Sequence, residues 1–295
     1  MIVDTSEEII KYDEGELKTF WLRIMDNIFF IIGAFRSGTT AIAKIFDLAP
    51  NAEVNIEQPP KLSREGRDLY DGRLTNPVEV LKKSKQNHIA AVLKKGLIYG
   101  DKNANYLPFI PYLQEIWNCK MALIIRDGRD VVRSMLEWEQ VINSQFYKRH
   151  EDSNEFPFKP VEDDYWDYSL IRPKSDNPYY DKWKQMSHFE KLCWYWANYN
   201  SHMLTLASMC TKDKYKIIHI DRIHSSHIKD LYSFLNLSGF NEKQVDKLIR
   251  LKINTSVQRG EVRNQIPSWR DWSDDWLENF EKVAAPTMRK LGYYG

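Results

Sequence analysis

Ile28-Phe-Phe-Ile-Ile-Gly33-Ala-Phe-Arg36-Ser37-Gly38-Thr39-Thr40 decides how the rest of the chain is read. Its first residues are β-branched or aromatic and end in glycine, the composition of a short strand buried on both faces. Residues 39–48 (TTAIAKIFDL) have helical character and stop at the Pro50–Asn51 turn. A strand that runs through a glycine loop into a helix is an anion cradle. Successive N–H groups point inward, and the helix N-terminus adds partial positive charge. Gly38 lets the backbone come close to a ligand, Ser37, Thr39 and Thr40 bring hydroxyls, and Arg36 brings a planar, two-pronged cation.

The spacing is GxxxxG followed by Thr39, at the place where a Walker loop carries lysine. Hydrolysis of ATP or GTP needs that lysine on the β and γ phosphates, so its absence disfavours a triphosphatase. No metal site is expected, since arginine and lysine can neutralise the charge that Mg²⁺ handles in kinases.

A second strand–helix unit lies at 120–138, where KMALII is a buried strand, Asp127 can cap a helix, and VVRSMLEW has apolar residues at helical spacing. Residues 109–117 read as a short helix, 186–210 as a long buried one, Lys216–Ile220 as a strand, and 226–236, 241–250 and 274–291 as helices. Alternating strands and helices predict a single α/β domain over 1–295, with a parallel central sheet flanked by helices. One stretch stands apart. Residues 137–185 carry acids (Glu151, Asp152, Glu155, Glu162, Asp163, Asp164, Asp167) interleaved with aromatics, and Pro157, Pro160, Pro173 and Pro178 break regular structure. That pattern suits an insertion over one sheet edge, with a role in recognition.

Composition narrows the function classes. The 295 residues are 43% hydrophobic and 28% charged, with 42 basic against 41 acidic residues, so no global field draws in nucleic acid or anionic membrane. Any anion site must be built locally. Cys119, Cys193 and Cys210 form no CxxC pair, which argues against a disulfide framework and a zinc site. The N-terminal stretch is acidic, without an apolar signal core, and the apolar run from Ile28 to Phe35 is far short of the ~20 residues of a membrane span. A cytoplasmic location is expected.

The strand–RSGTT–helix unit resembles the 5′-phosphosulfate loop of sulfotransferases that use 3′-phosphoadenosine 5′-phosphosulfate (PAPS). That loop reads PKSGTT in cytosolic members and PRSGTT in tyrosylprotein sulfotransferases. Residues 121–135 (MALIIRDGRDVVRSM) resemble the same family's 3′-phosphate signature, a strand followed by Arg126 and then Ser134 eight positions on. Gln258-Arg259-Gly260 is similar to the RKG triplet of cytosolic members, and Trp269-Arg270 to the tryptophan–lysine pair that follows it. Whether Arg259 or Arg263 meets the 3′-phosphate stays open. The resemblance covers about residues 28–140 and 190–270. It implies the P-loop NTPase-like sulfotransferase fold, PAPS as donor and adenosine 3′,5′-bisphosphate (PAP) as product. Arg36, Ser37, Gly38, Thr39, Thr40, Arg126, Ser134, Arg259 and Gly260 are the expected donor-binding residues.

Sulfuryl transfer is an in-line displacement, helped by a cation at the bridging oxygen and a base on the acceptor's proton. Arg36 and Lys102 are the candidate cations. Lys102 resembles the lysine of the KTHLP segment in cytosolic members and of the KDP segment in tyrosylprotein ones. The cytosolic family's histidine would fall at position 104, which is alanine here. Glu57 is therefore the expected base, at a point where tyrosylprotein enzymes and many bacterial relatives carry glutamate, and its pKa is expected to be raised in a partly desolvated cleft. His219, Asp221, Trp194 and Trp196 are expected to be structural. A small, cationic acceptor fits the acidic-aromatic insertion through carboxylate pairing and cation–π contact, a solvated lid fits it equally, and O- and N-sulfation are both open. The preferred setting is bacterial secondary metabolism, on a guanidinium alkaloid of the saxitoxin type. A small-molecule P-loop kinase and a non-catalytic nucleotide-binding module are the alternatives.

Overall fold

The apolar runs at 28–33 and 120–125 lie side by side at the centre of one all-parallel sheet, covered on both faces, which is why they carry no polar alternation. The computed structural model describes residues 25–142, 146–147, 168–251 and 266–294. Its strands are β1 (Ile28–Gly33), β2 (Ala52–Ile56), β3 (Ile98–Lys102), β4 (Lys120–Ile125) and β5 (Tyr215–His219), in the spatial order β2-β3-β1-β4-β5. The helices are α1 (Thr39–Phe46), α2 (Ser63–Tyr70), α3 (Pro77–Lys94), α4 (Ile110–Trp117), α5 (Gly128–Val141), α6 (His188–Ala207), α7 (Ser225–Phe234), α8 (Glu242–Arg250) and α9 (Asp274–Lys290). Phe29 and Ile31 face a core built with α1, α7 and α8. Ile28, Phe30 and Ile32 face the larger core, built chiefly with α3, α4, α5, α6 and α9.

The predicted strand–helix units are present, with ends set by local chemistry. Helix α1 stops at Phe46, because Asp47 and Leu48 already turn back onto Ala43 and Ile45. Helix α6 starts at His188, because Ser187 and Glu190 close a capping box on it. Asp127 caps α5 as expected, its carboxylate accepting from Arg129 N–H at 2.9 Å. Helix α5 continues through Val141, so Glu137–Val141 are helical rather than loop. The far flank of the acidic stretch also folds back on the core: Leu170, Ile171 and Trp183 are buried, and Arg67 donates to the Leu170 carbonyl at 2.7 Å. The acids from Glu151 to Asp167 lie outside the described residues. Among the described residues no helix is long and apolar enough to cross a membrane.

Candidate active site

At the carboxyl end of β1 the chain turns through Ala34–Gly38. Arg36 and Gly38 both take left-handed backbone angles, with φ of 64° and 89°. Ser37 folds inward, and its N–H and hydroxyl both donate to the Ala34 carbonyl, at 3.1 and 2.7 Å. Phe35 N–H donates to the Tyr195 hydroxyl on α6 at 3.2 Å. Gly38 stands at the N-cap of α1 and no side chain caps that helix; Ala41 N–H donates to the Gly38 carbonyl at 3.0 Å, which leaves the N–H groups of Thr39 and Thr40 for an anion. Gly38 takes its left-handed angle without the strain a side chain brings there, and a Cβ would also press on the Ile220 Cδ1 atom at 2.3 Å.

The second loop meets the first directly. Arg126 Nη1 donates to the Arg36 carbonyl at 3.1 Å, and Arg36 Nε donates to Ser134 Oγ at 3.1 Å. Trp138, one turn beyond Ser134, lies under the Arg36 guanidinium at 4.6 Å. Among the described residues no carboxylate lies at ion-pair distance from Arg126. The loop is braced from behind. Trp196 Nε1 donates to the Arg126 carbonyl at 3.1 Å, and its ring packs where a Cβ on Gly128 would sit at 2.7 Å. Asp221, just after β5, accepts from Asp127 N–H at 3.1 Å and from the Tyr293 hydroxyl at 2.6 Å. Burial pushes the Asp221 carboxyl up, while those two hydrogen bonds pull the other way. Burial pushes His219 down, against Tyr293. Asp221, His219 and Trp196 are thus structural, as expected. Arg259, Gly260 and Arg263 lie outside the described residues. Trp269 does reach this loop, with the Arg129 guanidinium 3.7 Å above its ring.

On the other side of β1, the parallel register sets Ile56 beside Lys102. Glu57 N–H donates to the Lys102 carbonyl at 2.8 Å, and Lys102 Nζ donates to Glu57 Oε1 at 2.6 Å. The Lys102 side chain is 6% exposed and that of Glu57 24%. Sequence reasoning expects Glu57 in a partly desolvated cleft; the structure leaves it partly exposed and pairs it with Lys102, a candidate cation of the same reading. Ala104 turns into the core, its carbonyl accepting from the Tyr199 hydroxyl at 2.7 Å.

Sequence reading missed a charge cluster behind this pair. Lys85 on α3 is fully buried, with Nζ 2.6 Å from the Gln58 carbonyl and 3.4 Å from Asp101 Oδ2. Tyr99 and Tyr106 donate to the same carboxylate oxygen at 3.0 and 2.5 Å. Burial pushes the Asp101 carboxyl up and the Lys85 ammonium down. The signal was present: Lys85 falls between Leu81 and Ile89 on the apolar stripe of α3, a register where a solvated lysine does not belong.

The family model described as Sulfotransferase domain matches residues 26–274. Among solved structures, a sulfotransferase from Alicyclobacillus acidocaldarius aligns over 90% of this chain and 94% of its own, at 15% identity and a TM-score of 0.50. A mouse sulfotransferase complexed with PAP aligns over 92% of this chain and 89% of its own, at 15% identity and a TM-score of 0.48. The sulfotransferase domain from the curacin biosynthetic pathway aligns over 90% and 98%, at 12% identity and a TM-score of 0.46. No curated protein sequence matches the chain. A parallel five-stranded sheet with an anion loop after its central strand is the P-loop NTPase-like fold of sulfotransferases, and the family match spans most of the sequence. The chain belongs to the sulfotransferase family.

Proposed function

We propose that this sulfotransferase takes its sulfuryl group from PAPS and delivers it to a hydroxyl or nitrogen of a small cationic molecule. The carrying observation is the reciprocal link between the loops: Arg126 bonds to the backbone of Arg36, and Arg36 bonds to Ser134. Two guanidinium groups, the uncapped start of α1 and the Ser134 hydroxyl in one place fit a ligand with two separate anionic groups. When bound, PAPS supplies an activated sulfuryl group with a bisphosphorylated adenosine as leaving group. Arg36, Ser37, Gly38, Thr39 and Thr40 hold its 5′ end, and Arg126 and Ser134 its 3′-phosphate, with Arg259 and Gly260 assigned to the same phosphate by resemblance.

Glu57 accepts the proton of the acceptor, and Lys102 and Arg36 supply positive charge where the leaving group becomes more negative. A 2.6 Å ion pair holds the Glu57 carboxylate in one orientation, which favours a base that must act at a fixed point. The acidic and aromatic residues between 137 and 185 support a cationic acceptor, for which a guanidinium alkaloid of the saxitoxin type is the preferred example. Three buried free thiols support a reducing, cytoplasmic setting.

Thermal unfolding with PAP and with ATP, each with and without Mg²⁺, tests the donor. PAP at about 100 times its Kd is expected to raise Tm by roughly 5–10 °C without metal. A shift with Mg²⁺-ATP alone would replace this reading with a kinase. Transfer of labelled sulfate to a panel of guanidines, amines and neutral phenols tests the acceptor class.

A further inference from the structure

The Lys85–Asp101 pair is a costly way to hold a fold together. Both side chains are wholly removed from solvent, and a buried ion pair of this kind is weak support for stability. The geometry is also lopsided. Lys85, Tyr99 and Tyr106 all converge on Asp101 Oδ2, and Asp101 Oδ1 is buried with no partner. The short bond of Lys85 goes elsewhere, 2.6 Å to the carbonyl of Gln58, the residue after Glu57.

Glu57 needs such a hold. Its φ of 54° lies in the left-handed region, which a side-chain-bearing residue occupies only when its surroundings impose it. Its N–H is fixed to the Lys102 carbonyl, and the Gln58–Pro59 peptide, one residue on, is fixed through its carbonyl by Lys85. Further along, the Asn103 and Asn105 amides both donate to the Lys61 carbonyl, at 2.8 and 3.1 Å, and tie down the end of the same segment.

We infer that Lys85 is a positioning residue for sulfuryl transfer: anchored by Asp101, its ammonium clamps the Gln58–Pro59 peptide, one residue beyond Glu57, and thereby aims the Glu57 carboxylate. The catalytic part of this inference rests on the assignment of Glu57 as base, and the clamp itself does not. Lys85 touches neither loop of the donor site.

The test uses Lys85→Met and Asp101→Asn in the full chain, each alone and combined with Glu57→Gln. Amide hydrogen exchange in the free protein is expected to quicken at Glu57, whose N–H is held by the Lys102 carbonyl, at least about tenfold more than in β1 and β4. The Kd for PAP stays within about twofold, because the donor loops are untouched. Turnover of PAPS with 4-nitrophenol as probe acceptor falls about 10- to 100-fold, and in the Glu57→Gln background by less than about threefold. Asp101→Asn keeps both tyrosine bonds and removes the counter-charge, so it decides the matter if Lys85→Met does not fold. Exchange that rises equally across the sheet would overturn the clamp, because lost stability alone would account for it. Equal turnover losses in both backgrounds would overturn the catalytic part. Full activity of Glu57→Gln alone would sink the base assignment, while the exchange measurement still decides the clamp.

Discussion

Arg36 Nε and Ser134 Oγ stand 3.1 Å apart, although 98 residues separate them in the chain. That contact joins the end of the central strand to the second turn of α5, so a ligand gripped by one loop is within reach of the other. Arg126→Ala is expected to act chiefly at the 3′ end of the donor, because Arg126 meets the first loop only at the Arg36 carbonyl. Calorimetry is expected to show PAP binding weakened about 10- to 100-fold, the loss of a charge-assisted hydrogen bond, with adenosine 5′-phosphosulfate affected less than about threefold. Equal losses for both ligands would contradict the placement of the 3′-phosphate on Arg126.

Glu57→Gln keeps the size of the side chain and its contact with Lys102 but removes the proton acceptor. Turnover with any accepted substrate is expected to fall about 10²- to 10⁴-fold, the usual worth of a general base, with PAP affinity unchanged. Normal turnover would remove Glu57 from the chemistry.

Gly38→Ala asks a left-handed position to carry a Cβ that would press on Ile220. Because the clash is with the end of a flexible side chain, the cost comes mainly from the backbone, about 1–2 kcal/mol. Denaturant unfolding should report that loss, and PAP binding should fall with it, because the turn that presents the α1 N-terminus is distorted. An unchanged midpoint with full binding would show that the turn tolerates a side chain.

His202 on α6 packs against the edge of Tyr70 with ring centroids 5.3 Å apart, and burial, with a smaller contribution from Lys174, lowers its pKa to about 4. Below pH 6.5 the unfolded chain binds a proton that the folded chain refuses, so stability is lost as pH falls from about 6.5 towards 4. His202→Gln removes this contribution. The difference in unfolding free energy between pH 7 and pH 4.5 should shrink in the variant, by at most ~2.5 kcal/mol. Parallel pH dependences for the two proteins would show that His202 protonates freely.

How much of this was legible beforehand depended on where the information sits along the chain. Strands β1 and β4 announce themselves because both faces are buried, and the two loops proposed to hold the donor because residue types and spacing lie within single short segments. Strand β2 escaped notice because Ala52–Ile56 is a half-exposed edge of mixed composition. Helix α3 did too, its apolar stripe interrupted by lysines, one of which turned out to be buried. The pairing of Glu57 with Lys102 is fixed by a parallel register between segments 45 residues apart, and no local pattern encodes a register. Asp221 and Trp196 were legible as structural residues, but not their contacts with Asp127 and Arg126.

Strand β1 is hydrogen-bonded to β3 on one flank and β4 on the other, so Ile31 is in register with Lys102 and with Ala122 at once. On the proposed assignment the base Glu57 follows β2, the 5′ loop leaves β1 itself, and Arg126 and Ser134 follow β4. The two sides of the reaction then ride on different neighbours of one spine, and drift after β2 changes what is modified without disturbing the grip on the reagent's far end.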